Sequence, residues 1–230
     1  MLQLVIANKL YSSWSLRPWL LMRALDIPFT DEVIEMRQPD SKARMLARGP
    51  TGKCPVLIDG DVTVWESLAI IEFLAEKFPD KAVWPRERQA RAHARAAANE
   101  MHAGFQALRN ACPMNLSKRF AGKDHGPDVA ANVARIEALW REARAKFGAK
   151  SGEPYLYGAF GAADAMYAPV SSRLDTYQFA VADDTRAYMD TILAHPAFVA
   201  WRTAALAEPV AWDYPGYEEG HAPVEVFERG

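Results

Sequence analysis

Cysteine is scarce. The chain of 230 residues has two, Cys54 and Cys112, which cannot build a multi-bridge framework; a reducing, cytoplasmic setting is expected. Long apolar runs are absent as well. No stretch reaches the ~18 residues that a membrane helix needs, so no membrane partner is expected. The opening Met1-Leu2-Gln3-Leu4-Val5-Ile6-Ala7 lacks the basic start and cleavage site of a signal peptide and reads as a strand. Charge of one sign is also missing. Lys and Arg number 27 against 29 Asp and Glu, for a formal charge of −2, with no long run of either sign. That speaks against a nucleic-acid partner. His93, His102, His125, His195 and His221 are scattered, and no His/Cys spacing suggests a metal site. There is no glycine-rich phosphate loop, no internal repeat and no low-complexity segment. What remains is a chain that is 50% hydrophobic, ample for a sizeable core in one large domain or two small ones.

The most informative stretch runs from Gly49 to Ser67. Two apolar runs, Val56–Ile58 and Val62–Trp65, flank Asp59-Gly60-Asp61, a hairpin signal. Pro55 opens the first run, where a strand tolerates proline, and is a candidate cis proline. The second run ends in Glu66-Ser67 and passes directly into a segment with apolar residues at 70, 71, 74 and 78, the helical period. A carboxylate and a hydroxyl therefore sit at a helix start.

Upstream, Leu2–Ala7 is a buried strand, Ser15–Leu25 a helix that tolerates Pro18 in its first turn, Thr30–Met36 a strand and Ser41–Leu46 a short helix. With the hairpin and the helix from Ser67 to Phe78, the order β-α-β-α-β-β-α predicts a thioredoxin-like α/β domain over residues 1–78. Residues 79–85 are rich in breakers and read as a linker. Residues 86–230 read as an all-α domain with an irregular tail. The expected helices are Arg86–Asn110, Asp128–Phe147, Ala162–Phe179 (kinked at Pro169), Thr185–Leu193 and Pro196–Ala207, with the tail from Glu208.

Pro55-Val56-Leu57 and Glu66-Ser67 resemble the cis-proline strand and Glu/Gln-Ser pair of the glutathione transferase family. Tyr11-Ser12-Ser13-Trp14-Ser15-Leu16-Arg17 resembles the Ser-Ser-Cys-Ser-x-Arg motif of its zeta class, with Trp14 where zeta enzymes have cysteine. Gly104-Phe105-Gln106-Ala107-Leu108-Arg109-Asn110 resembles a zeta stretch that faces the cleft. The resemblance implies the glutathione transferase fold. It also implies Ser12, or else Ser13, as the residue that activates the thiol of glutathione, the co-substrate. Glutathione itself would be held by Ser15, Lys53, Cys54, Pro55, Glu66 and Ser67. A second-substrate pocket would be drawn from Trp14, Gln106, Arg109, Asn110, Arg173 and Tyr177. Asp164 resembles a structural aspartate at a helix start. A homodimer is the family expectation, with Trp65 and the Arg88 helix face as contacts.

The chemistry asked of those serines is modest. A free thiol titrates near ~8.5, and lowering that by about two units takes about 2.7 kcal/mol of preference for the thiolate. A hydroxyl hydrogen bond to an anion supplies roughly 1.5–3 kcal/mol, and a helix N-terminus roughly 0.3–1 kcal/mol. A serine at a helix start is sufficient without a general base. The competing reading of the same serines is plain N-capping. The expected function is conjugation of glutathione to a small hydrophobic electrophile. The alternatives are a zeta-like maleylacetoacetate isomerase and a non-catalytic glutathione- or protein-binding module of the same fold. A thiol–disulfide enzyme would want a cysteine where the first helix begins, and none is there.

Overall fold

A computed structural model describes residues 1–214 and 216–229. The N-terminal part is a four-stranded sheet of β1 (Leu2–Ala7), β2 (Phe29–Ile34), β3 (Val56–Asp59) and β4 (Val62–Trp65), in the order β2-β1-β3-β4. β1 runs parallel to β2 and antiparallel to β3, which pairs with β4 across the turn at Gly60. Gly60 has φ +63°, a conformation glycine adopts without strain. Alternation along β1 divides the core. Leu2, Leu4 and Ile6 join one cluster with α1 (Ser13–Ala24) and α3 (Ser67–Lys77), while Val5 and Ala7 pack with Met45 of α2 (Ser41–Leu46).

The C-terminal part holds α4 (Arg88–Ala103), α5 (Gln106–Ala111), α6 (Pro127–Ala143), α7 (Ala162–Thr176), α8 (Asp183–Leu193) and α9 (Pro196–Leu206). Three features depart from the sequence expectation. The expected helix Arg86–Asn110 is broken: Gly104 is extended, Phe105 takes φ +56°, and α5 starts in a new direction. The helix expected to reach Phe147 changes after Ala143 into a wider turn at Arg144–Gly148 and a tighter one at Ala149–Ser151. The part is also not all-α, nor is its tail wholly irregular. β5 (Lys118–Phe120) pairs antiparallel with β6 (Pro223–Val226), and these two short strands tie the tail to the helices. Val224 and Val226 alternate with Glu225, but runs of three and four residues are too short for the pattern to mark strands.

The segment between α3 and α4 is anchored as well as connecting. Val83 and Trp84 are buried, and the Val83 carbonyl accepts from Ala162 N–H at the start of α7. The two parts are stitched further by polar contacts. The Arg95 guanidinium of α4 pairs with Glu72 of α3 through both carboxylate oxygens. The Trp201 indole donates to the Lys9 carbonyl, and the buried Glu208 carboxylate accepts from Lys9 N–H and Leu10 N–H. The loop leading into α1 is thus held by residues almost two hundred positions away.

Candidate functional site

A cleft of about 640 Å³ opens between the two parts. The N-terminal part supplies Ser12, Ser13 and Trp14 from the start of α1, and Lys53 and Cys54 from the approach to β3. The helical part supplies Gln106, Arg109, Asn110 and Arg173. Those nine residues stood among the sequence candidates. Tyr11, Met36, Arg37, Gln38 and, from the tail, Tyr217 also line it and were missed. A tail residue far from any motif carries no local signal of where it will pack.

The start of α1 is closed on itself. Ser12 is its N-cap, with Oγ accepting from Ser15 N–H at 3.4 Å and donating to Ser15 Oγ at 2.8 Å. Ser15 Oγ also accepts from Ala7 N–H at the end of β1. Ser15 is fully buried and, like Pro55, Glu66 and Ser67 of the expected binding set, is not among the residues that line the cleft. Its hydroxyl holds strand end to helix start. Ser13 differs. Its Oγ accepts from Arg173 Nη2 at 3.1 Å and its carbonyl from Arg17 Nη1 at 2.7 Å. Arg17 and Arg109 both lie over the Trp14 ring, 4.1 and 4.6 Å from its centroid, a cation–π arrangement.

The cleft wall is cationic. Arg37, Lys42, Lys53, Arg109 and Arg173 line it, with no Asp or Glu among the described lining residues. Burial lowers the Arg173 guanidinium to about 10, helped by the nearby Arg109, so it remains charged at neutral pH. Neither cysteine is poised as a nucleophile, since burial pushes both the Cys54 and the Cys112 thiol up to about 12.

The start of α3 is linked to this wall through His102, which packs edge-on to Trp14. Glu66 takes φ +70°, a left-handed value uncommon for a side chain with Cβ, and caps nothing with its carboxylate. That carboxylate lies exposed, 3.9 Å from His102 Nε2. Ser67 is buried, and its hydroxyl has no partner. The Cys54–Pro55 peptide bond, one strand away, is cis.

Tyr177, expected in the pocket, is not there. Its ring stacks on Phe120, and its hydroxyl donates to the Pro113 carbonyl at 2.8 Å, next to the Cys112 carbonyl that Arg173 holds. Asp164 is structural: its carboxylate accepts from Leu156 N–H, Gly161 N–H and the Tyr188 hydroxyl.

Residues 11–77 match the family model described as the glutathione S-transferase N-terminal domain. That match covers the N-terminal part, and the chain as a whole has the glutathione transferase fold. It is 32% identical to glutathione S-transferase 1 of Dianthus caryophyllus over 49% of this chain and 50% of that one. It is 29% identical to a probable maleylacetoacetate isomerase of Caenorhabditis elegans over 59% and 64%. These matches span roughly half to two thirds of the relatives' lengths. The fold is shared with a glutathione transferase homologue from Burkholderia solved with bound glutathione, at TM-score 0.67 and 17% identity, covering 89% of this chain and 97% of that one. Among the described residues, no helix is long and apolar enough to cross a membrane, and no cluster of His, Cys, Asp and Glu could hold a metal ion.

Proposed function

We propose that this protein is a glutathione transferase that binds glutathione across the α1 and α3 starts and directs its sulfur at a small electrophile. The observation that carries the reading is Ser67. A buried hydroxyl without a partner costs about 1–3 kcal/mol, and here it lies at a helix N-terminus, where anions bind. Ser67 and the adjoining N–H groups suit the γ-glutamyl carboxylate, and Glu66 suits the neighbouring ammonium. The Cys54 backbone, at the cleft wall, suits the cysteinyl peptide group. Lys53 suits the glycyl carboxylate. Glutathione supplies the thiolate nucleophile, and a serine hydroxyl of the α1 start stabilises that charge. In conjugation the carbon–sulfur bond forms as the electrophile's leaving group departs with its electron pair, and the thiol proton has already passed to solvent.

One observation favours a second reading, glutathione-dependent isomerisation of maleylacetoacetate. That substrate carries carboxylates, and the five cations of the acid-free wall suit them better than a hydrophobic electrophile. A protein-binding module remains the third reading, and a homodimer the expected assembly, with Trp65 exposed on the edge strand β4.

Titration calorimetry with glutathione tests the first reading. Binding that weakens at least tenfold in Ser67→Ala supports it. No binding by the unaltered protein overturns it and turns attention to protein partners. Turnover of maleylacetoacetate without conjugation of a neutral chloronitroarene would select the isomerase.

A further inference from the structure

Two arginines are buried where the two parts meet, and neither has a carboxylate within ion-pair distance among the described residues. Arg17 and Arg173 are 0% and 5% exposed. Burying a cation without a counter-ion is costly, and the chain does it twice around one residue. Arg17 grips the Ser13 carbonyl, and Arg173 grips the Ser13 hydroxyl. Arg173 is itself fixed by donating from Nε to the Cys112 carbonyl at 2.9 Å and from Nη1 to the Pro169 carbonyl at 3.4 Å.

The consequence for Ser13 is directional. A hydroxyl has one proton to give and lone pairs to receive. Arg173 occupies a lone pair of Ser13 Oγ with a cationic donor, which leaves the Ser13 proton free to point into the cleft and polarises the O–H bond. Ser12 is in the opposite condition: its proton goes to Ser15 Oγ, and its oxygen caps the helix. Resting on the glutathione-binding reading above, we propose that Ser13 is the hydroxyl that meets the glutathione sulfur and that Arg173, reaching across from α7, is the positioning residue that orients Ser13 and lowers the thiol pKa. The N-terminal part alone then holds glutathione without activating it, because the counter-charge comes from the helical part. The thiolate also becomes the anion that the buried guanidinium lacks.

The test is a pH titration of the ultraviolet thiolate absorbance of bound glutathione in the full chain. It is run for the unaltered protein and for Arg173→Met, Arg173→Lys, Ser13→Ala, Ser12→Ala and the Ser13→Ala/Arg173→Met double variant. The expected result is a bound-thiol pKa below the ordinary ~8.5, raised by about one unit or more in Arg173→Met and in Ser13→Ala, which is about tenfold less thiolate at a given pH below it. The double variant should be no worse than the larger single effect, and Arg173→Lys should recover part of the shift. Ser12→Ala should lower stability without moving the thiol pKa. If Arg173→Met does not fold, the contrast between Ser13→Ala and Ser12→Ala decides. A purely structural Arg173 would lower the melting temperature and leave the thiol pKa in place, and that outcome overturns the proposal. So does a pKa shift in Ser12→Ala and not in Ser13→Ala. Failure of the unaltered protein to bind glutathione removes the parent reading and this proposal with it, whereas binding with an unshifted thiol removes this proposal alone.

Discussion

Helix α1 begins at the cleft and α3 outside its lining, and their first turns are finished in opposite ways. At α1 the Ser12 and Ser15 hydroxyls bond one another, the end of β1 and the helix backbone. At α3 the Ser67 hydroxyl is buried without a partner, and Glu66 holds a left-handed backbone while capping nothing. A satisfied helix start contributes to stability. An unsatisfied one costs it, and persists where a ligand completes the set. The contrast therefore separates residues that hold the fold from residues that wait for something. A third start calibrates it. At α7 the buried Asp164 closes two backbone N–H groups and the Tyr188 hydroxyl, far from the cleft wall.

The largest effect is expected at that reference position. Asp164→Ala should cost about 3–5 kcal/mol, since it strands three buried donors, and it should leave the glutathione affinity of the folded fraction unchanged. Urea unfolding measures the first, calorimetry the second. The pH dependence has a definite sign. Burial raises the Asp164 carboxyl to about 6 against the hydrogen bonds that favour its ionised form. The folded state thus takes up a proton that the unfolded state releases near ~3.8. The stability owed to this protonation is present below about pH 4 and is lost as pH rises to about 6. The deficit of Asp164→Ala should be larger at about pH 4 than at about pH 7. Equal deficits would place the carboxyl's pKa at its ordinary value.

Ser67→Ala should invert that pattern. Removing a hydroxyl that bonds nothing costs no stability and relieves an unmet polar group, while a lost hydrogen bond to a carboxylate weakens glutathione binding by about 1.5–3 kcal/mol. A variant that loses stability and keeps its affinity would mean that Ser67 finds a partner within the fold, and the contrast between the two helix starts would collapse. Ser15→Ala is its mirror. It strands Ala7 N–H and should cost about 1–2 kcal/mol of stability, with glutathione affinity preserved.

These positions also show what could be read from the residues alone. Val62–Trp65 followed by Glu66-Ser67 and a helical period places a carboxylate and a hydroxyl at a helix start, because strand alternation and helix period are local properties of sequence. The serines before Leu16 mark the α1 start for the same reason. Which serine is satisfied and which is not depends on Ala7, Arg173 and other residues brought in by the fold. Tyr177 illustrates the limit. Its place on the same helix face as Arg173, four residues earlier, is legible, but the partners that draw it out of the cleft, Phe120 and the Pro113 carbonyl, are brought in by the fold. Tyr217 reaches the cleft because β6 pairs with β5 across more than a hundred residues, a long-range pairing with no local signature.

The smallest effect is also the sharpest test of whether α3 is incomplete or merely strained. Glycine adopts a φ of +70° without the cost that a Cβ imposes, about 1 kcal/mol or somewhat more at such a position. If the Glu66 backbone is held for the sake of a ligand, Glu66→Gly should raise stability by up to that amount and weaken glutathione binding, because the carboxylate that would meet the ammonium is gone. Glu66→Gln keeps the strain and removes only the charge, so it should lower affinity without any gain in stability. The two variants separate backbone from side chain. Should Glu66→Gly gain nothing, the left-handed turn is supported by its neighbours at no net cost, and Ser67 alone marks α3 as the open end of the site.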